Sequence, residues 1–211
     1  MLNELERSQA LSDEEAMNDY INGNSDSYDL LYRRHSPGVL RFIIMFLSIS
    51  KILAEDLLQE IFMKVIVNRD KYMPSAKFTT WLYAIARYHC IDYIKTEQYR
   101  KHRSLDAPAS GEEGGATVGD FISRDDETQE DTIHIGEIRS KLAEGLETLK
   151  EEFREVYILS QLEGMQMKEI AVITNTSENT VKSRLRYAFR GLREEFKKSG
   201  FFELPNKAKE V

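Results

Sequence analysis

Residues 105–136, LDAPASGEEGGATVGDFISRDDETQEDTIHIG, set the first limit on how this chain folds. They hold five of its eleven glycines, one of its four prolines and nine acids. Apolar residues recur there at neither a helical nor a strand period, so the stretch has too little to bury and reads as a linker, mostly disordered when free. The chain divides there. We read 1–11 as an N-terminal extension, 12–104 as a first block, 105–136 as an acidic linker, 137–198 as a second block and 199–211 as a tail.

The formal net charge of −7 is unevenly spread. Residues 1–29 carry one base against eight acids, and 105–136 carry one against nine. Between them, residues 30–104 carry thirteen lysines and arginines against six acids, and 137–199 carry twelve against eleven. The total argues against nucleic acid as a partner, whereas the distribution does not.

Both blocks are helical by period. In the first, Tyr28, Leu31, Tyr32 and His35 share a face, then Val39, Leu40, Ile43, Phe46 and Leu47. Pro37 and Gly38 lie between these runs and predict a bend. Ala54, Leu57, Ile61, Phe62 and Val65 follow, then Leu82, Ile85, Ala86, Cys90 and Ile94. The second block runs through Leu142, Leu146, Leu149, Phe153, Val156 and Tyr157. No segment alternates as a strand does, so the expected class is all-α: two small helical domains joined by a flexible linker. The longest apolar run, near Phe42 to Ile52, has about half the ~20 residues a bilayer span needs, and no secretory pattern opens the chain. One cysteine, Cys90, excludes an internal disulfide. A cytoplasmic protein without membrane insertion of its own is the expectation.

In MKEIAVITNTSENTVKSRLRYAFRGLREEF, Ile170, Ala171 and Ile173 bury one short helix, and Val181 and Leu185 a second. Asn175 falls where the turn needs a left-handed residue, and Ser177 caps the second helix. Thr180 stands where a full capping box wants Glu or Gln. Lys182, Ser183, Arg184, Arg186, Arg190 and Arg193 point outward. This is a helix-turn-helix whose second helix can present Glu178, Asn179 and Lys182 to base edges and its cations to phosphates. A solvated basic face is the plainer alternative.

KFTTWLYAIARYHCIDYIK, residues 77–95, carries Phe78, Trp81, Tyr83, Tyr88 and Tyr93, and the basic run YRKHR follows it. Rings interleaved with cations suit an exposed nucleic-acid strand: bases stack on the rings and phosphates pair with the cations. The plainer alternative places the rings in the core. Histidines 35, 89, 102 and 134 are scattered, and no nucleophile, phosphate loop or carboxylate pair completes a catalytic site, so the chain reads as a non-enzyme without cofactor or metal.

LAEDLLQEIFMKVI followed by FTTWLYAIARYHCIDYIK resembles region 2 of bacterial sigma-70 family factors, and LEGMQMKEIAVITNTSENTVKSRLRYAFRGLREEF resembles their region 4. The small size and the missing middle region match the extracytoplasmic-function (ECF) group. The resemblance implies a transcription initiation factor that binds core RNA polymerase and promoter DNA, duplex and melted non-template strand. It implies that Asp56, Gln59, Glu60 and Met63 meet the clamp helices of the largest polymerase subunit. Lys77, Phe78, Tyr83, Arg87 and Tyr88 are then the candidates for the minus-ten strand, beside a base-extruding loop at 74–80. Lys95, Arg100, Lys101 and Arg103 hold phosphate upstream. Ser177, Glu178, Asn179, Lys182, Arg184 and Arg186 match the readers of the minus-thirty-five element, in a region that packs on the flap of the second-largest subunit. An anti-sigma factor is the implied regulator. Asn175 and Asn179 depart from the family where many members have Gly, and Lys150 where many have Pro. The acidic linker suits mimicry of nucleic acid in the polymerase channel, and the acidic first 29 residues suit masking of a DNA surface. The rival is a helix-turn-helix regulator with a helical sensor domain, which leaves the Asp56–Met63 face without a use.

Overall fold

A computed structural model describes residues 11–103, 138 and 140–200, without the side chains of residues 100–103. The linker, most of the N-terminal extension, the tail beyond residue 200, and the side chains of Arg100, Lys101 and Arg103 lie outside the described residues. Among those described there is no strand, and the class is all-α as expected.

Four helices build the first block: α1 (Asp13–Ile21), α2 (Ser25–Leu47), α3 (Lys51–Val67) and α4 (Phe78–Arg103). Each start has a local cause. Ser12 and Glu15 form a complete capping box on α1, with Glu15 N donating to Ser12 Oγ (3.2 Å) and Ser12 N to Glu15 Oε2 (2.8 Å). Asn24 accepts from Asp26 N and caps α2. The start of α4 is capped from a distance: Phe78 N donates to Glu14 Oε1 of α1 at 2.9 Å. Asp13 reaches Arg34 (2.9 Å) and His35 (2.8 Å), which pins α1 to α2 and holds the Asp13 carboxyl below its ordinary range, His35 being the main cause. Acidic residues of the N-terminal segment thus have structural work inside the block.

One unbroken helix spans both apolar runs of α2, with Pro37 inside it, so the proline does not divide them. Magnitudes account for this. A mid-helix proline costs ~3 kcal/mol, whereas Val39, Phe42, Ile43, Ile44, Met45 and Phe46 are all buried, each contributing ~1.5–3 kcal/mol. Five consecutive buried residues, 42–46, cannot occupy one face of a helix. The rest of the first block covers one side of α2, and the second block covers the other.

The second block comprises α5 (140–147), α6 (Glu151–Tyr157), which runs on as a π segment (Ile158–Leu162), α7 (Met167–Thr174) and α8 (Glu178–Lys198). Leu146, Val156, Ile158, Leu159, Ile170, Ile173, Val181, Leu185, Ala188 and Leu192 form its interior. The two blocks pack directly on one another, α4 against α7 and α2 against α6 and the π segment.

Two expected strand-contacting rings lie inside the protein. Phe78 is fully buried between His35, Tyr72 and Trp81. Tyr83, which the helical period places off the buried stripe, is 4% exposed. It packs edge-on to Phe42 and lies beneath the second block, which a single-block reading of α4 does not foresee. Phe78→Ala should lower the unfolding free energy by about 3–5 kcal/mol, read by urea denaturation; a cost under ~1 kcal/mol would place the ring outside the core.

Candidate polymerase and nucleic-acid interfaces

The outer face of α3 is polar because its inner face is fully spent on the core. Ala54, Leu57, Leu58, Ile61, Phe62 and Val65 point inward, and Asp56, Gln59, Glu60 and Met63 line up outside. All four are exposed and, with Lys64, rim a shallow hollow. Met63, 58% exposed, is an apolar point among acceptors. This arrangement suits a basic partner surface with one greasy contact. Glu60 Oε2 also lies 2.8 Å from Nε2 of His89 on α4. Burial lowers the His89 pKa, against the pull of Glu60.

A cleft of about 260 Å³ opens between α3 and α4, lined by Lys64, Lys71, Trp81, Tyr88, His89 and Asp92 among others. Tyr88 is exposed and carries the Arg87 guanidinium 5.9 Å from its ring centre. Lys95 is exposed further along α4, near Asp92. Rings and ammonium groups around a small cleft are the chemistry that holds a base and its phosphate.

The other candidates on this face have partners in the second block. Lys77 Nζ lies 2.6 Å from Glu169 Oε1. Tyr83 donates to Glu163 Oε2 at 2.6 Å, and Arg41 donates to Glu163 Oε1 at 2.9 Å. Arg87 donates through Nε to Glu155 Oε1. In the opposite direction Arg154 donates to the Phe46 carbonyl (3.2 Å) and to Ser48 Oγ (2.9 Å). Burial raises the Glu155 carboxyl above its ordinary range and Arg87 opposes this. Glu169 is held below that range by Lys77 and by the Gln166 amide, which outweigh its burial. Burial, then Glu163, keep the Tyr83 phenol protonated. Glu155, Glu163 and Glu169 are functional residues that the sequence reading missed. Glu155 left a trace: it precedes Val156 on the stripe that Ile158 and Leu159 continue, where a charge signals a buried partner.

The helix-turn-helix follows its expected chemistry. Asn175 is left-handed (φ 51°, ψ 49°) and ends α7. Ser177 Oγ accepts from Thr180 N at 3.1 Å and meets Thr180 Oγ1 at 2.9 Å, so Thr180 replaces the missing box residue with a hydroxyl contact. Ser177, Glu178, Asn179, Lys182 and Arg186 are exposed. Arg184 is instead half-buried and tied to Glu152 at 3.0 Å. Lys150 is the residue before α6 and provides no side-chain cap.

Comparisons with known proteins agree with this layout. The family model described as "Sigma-70 region 2" matches residues 31–100, and that described as "Sigma-70, region 4" matches 139–191. The RNA polymerase sigma factor CarQ of Myxococcus xanthus is 31% identical over 84% of this chain and 94% of its own length. The ECF RNA polymerase sigma factor SigW of Bacillus subtilis is 32% identical over 68% of this chain and 75% of its own. Among solved structures, CnrH in complex with the cytosolic domain of CnrY superposes with a TM-score of 0.61 at 19% identity, covering 86% of this chain and 95% of that one. Sigma factor RpoE of Bartonella quintana, in complex with the anti-sigma factor NepR, gives 0.61 at 22% identity, covering 79% and 94%. The chain belongs to the sigma-70 family of RNA polymerase sigma factors, in its extracytoplasmic-function group. It is a transcription initiation factor, which directs RNA polymerase to promoters.

Because a left-handed backbone costs most side chains ~1–2 kcal/mol, Asn175→Ala should lower stability by about 1 kcal/mol while Asn175→Gly holds it near the starting value. Thermal melts of the two variants check this, and equal melts would discount the strain.

Proposed function

We propose that the chain binds core polymerase through Asp56, Gln59, Glu60 and Met63, with the clamp helices of the largest subunit as their partner. The row of four exposed side chains on α3, within the stretch matched by the region 2 model, carries this reading. Region 2 spans 12–104 and region 4 spans 137–198. The cleft between α3 and α4 takes a base extruded from the non-template strand of the minus-ten element, with Tyr88 as the exposed stacking ring. Flipping costs a few kcal/mol, which stacking at ~1–3 kcal/mol per base offsets together with edge hydrogen bonds. Lys77, Arg87 and Lys95 pair with the strand, and Arg100, Lys101 and Arg103 with the duplex upstream. The start of α8, with Ser177, Glu178, Asn179 and Lys182, reads the minus-thirty-five element, while Arg184 and Arg186 hold phosphate and the block rests on the polymerase flap.

The polymerase supplies the chemistry, so the chain itself is no enzyme, and it acts in the cytoplasm; no helix among the described residues is long and apolar enough to cross a membrane. CnrH and RpoE were each captured with a regulatory partner, and an anti-sigma factor is the corresponding regulator here. The reading as a helix-turn-helix regulator accounts for α7 and α8 but leaves the α3 row without a role.

Transcription in vitro with core polymerase on a randomised promoter library tests this. Specific starts should appear with the chain and vanish with Gln59→Ala/Glu60→Ala. That pair should weaken core binding at least roughly tenfold, ~1.4 kcal/mol, while moving stability by no more than ~0.5 kcal/mol each, because both positions are exposed. Absent core binding by the unsubstituted chain would favour the regulator. Unchanged permanganate reactivity of the minus-ten element in Lys77→Ala, Arg87→Ala and Tyr88→Ala would remove the strand contacts.

A further inference from the structure

Three cations of region 2 face three carboxylates of region 4 across the contact between the blocks. Arg41 and the Tyr83 hydroxyl share Glu163, Arg87 takes Glu155, and Lys77 takes Glu169. Two of these cations, Lys77 and Arg87, are the ones assigned above to the minus-ten strand. The carboxylates therefore stand where phosphates would stand.

The pairs are unequal. Lys77 is more than half exposed, and such a pair contributes little and is screened by salt. Arg87 and Glu155 are 16% and 3% exposed at the side chain, and Glu163 is 7% exposed. Removing one member of a buried pair strands the other charge, so these two contacts hold the closed arrangement. Gly38 makes room for one of them: a Cβ there would stand 2.8 Å from both Glu163 Oε2 and the Tyr83 hydroxyl.

Size adds an independent argument. A compact globule of this chain length has a radius of gyration of about 17 Å and measures roughly 45 Å across. Elements centred about 25 base pairs apart, at about 3.4 Å each, lie roughly 85 Å apart on duplex DNA. The closed chain cannot read both at once.

We infer that the free chain masks its own minus-ten surface with Glu155 and Glu163 of region 4, and that the blocks must part at these carboxylates before promoter DNA is bound. The masking rests on the strand-contact reading above, whereas the closure does not. A protein whose competent state is a minor fraction binds more weakly by that fraction, so the latch lowers the affinity of the free chain for single-stranded DNA.

The test uses the full chain carrying Glu155→Gln/Glu163→Gln. Glu169 is left native because it also caps α7 through the Gln166 amide. Cys90 is the one cysteine and is buried, so cysteines introduced by Asp70→Cys and Glu194→Cys take spin labels selectively. Double electron–electron resonance should give one short inter-block distance in the unsubstituted chain and a long, broad distribution in the double variant. Binding of a mixed-sequence 12-nucleotide single-stranded DNA should tighten roughly tenfold or more. As a second route, Arg87→Glu should open the chain and Arg87→Glu/Glu155→Arg should close it again, a restoration that general destabilisation would not produce. An open unsubstituted chain, or a double variant that stays closed with no restoration to observe, would overturn the latch. Opening without a gain in DNA binding would overturn the masking and the strand-contact reading together, while leaving the closure in place.

Discussion

The ion pair between Arg87 and Glu155 is the contact on which the relation between the two blocks depends. It places a region 2 cation and a region 4 acid where water has almost no access, with α2, α4 and α6 around them. A buried pair of this kind adds little net stability compared with an apolar pair of the same volume, yet it penalises every arrangement in which its members are separated and still dry. The pair therefore selects one docking of the blocks more than it strengthens that docking. The arginine from Arg154 to the Phe46 carbonyl and Ser48 works the same way in reverse, binding the end of α2 from the other side.

Within region 2, the division of labour follows from how α3 and α4 spend their faces. α3 gives its inner face to the core, so an unbroken polar row remains on the outside. α4 gives its inner face to the core through Leu82, Ala86 and Cys90 and a second face to region 4 through Tyr83 and Arg87. That leaves Tyr88 and the cleft beside it as the part of α4 open to solvent. The free surface of α4 is thus set by what two different neighbours leave uncovered.

What was legible in the sequence was local. Asn175 and Ser177 could be placed from single-residue chemistry, because left-handed turns and N-caps depend on a few adjacent atoms. The outward row on α3 could be placed from period alone, since one core defines its inside. Pro37 was misread because local propensity was weighed without the burial of the five residues from Phe42 to Phe46. Phe78 and Tyr83 read as candidate stacking rings, but their burial depends on Tyr72, His35 and region 4, which are distant in sequence or across the linker. Glu155, Glu163 and Glu169 were invisible as a group: spaced eight and six residues apart, they meet only when the second block docks. Arg184 was counted among the outward cations because Glu152, its partner, belongs to another helix.

The Glu169 side chain divides its two oxygens between separate duties: one accepts the amide that starts α7, the other faces Lys77 across the block boundary. Such dual use narrows which substitutions evolution can explore at this site. Shortening to Asp withdraws reach from both duties, and an apolar residue abolishes both. Gln alone uncouples them, since its carbonyl can still accept the helix amide while its neutral end gives up the charge. Position 169 is thus a place where one conservative replacement could retune how readily the chain opens without disturbing the fold of the DNA-reading helices.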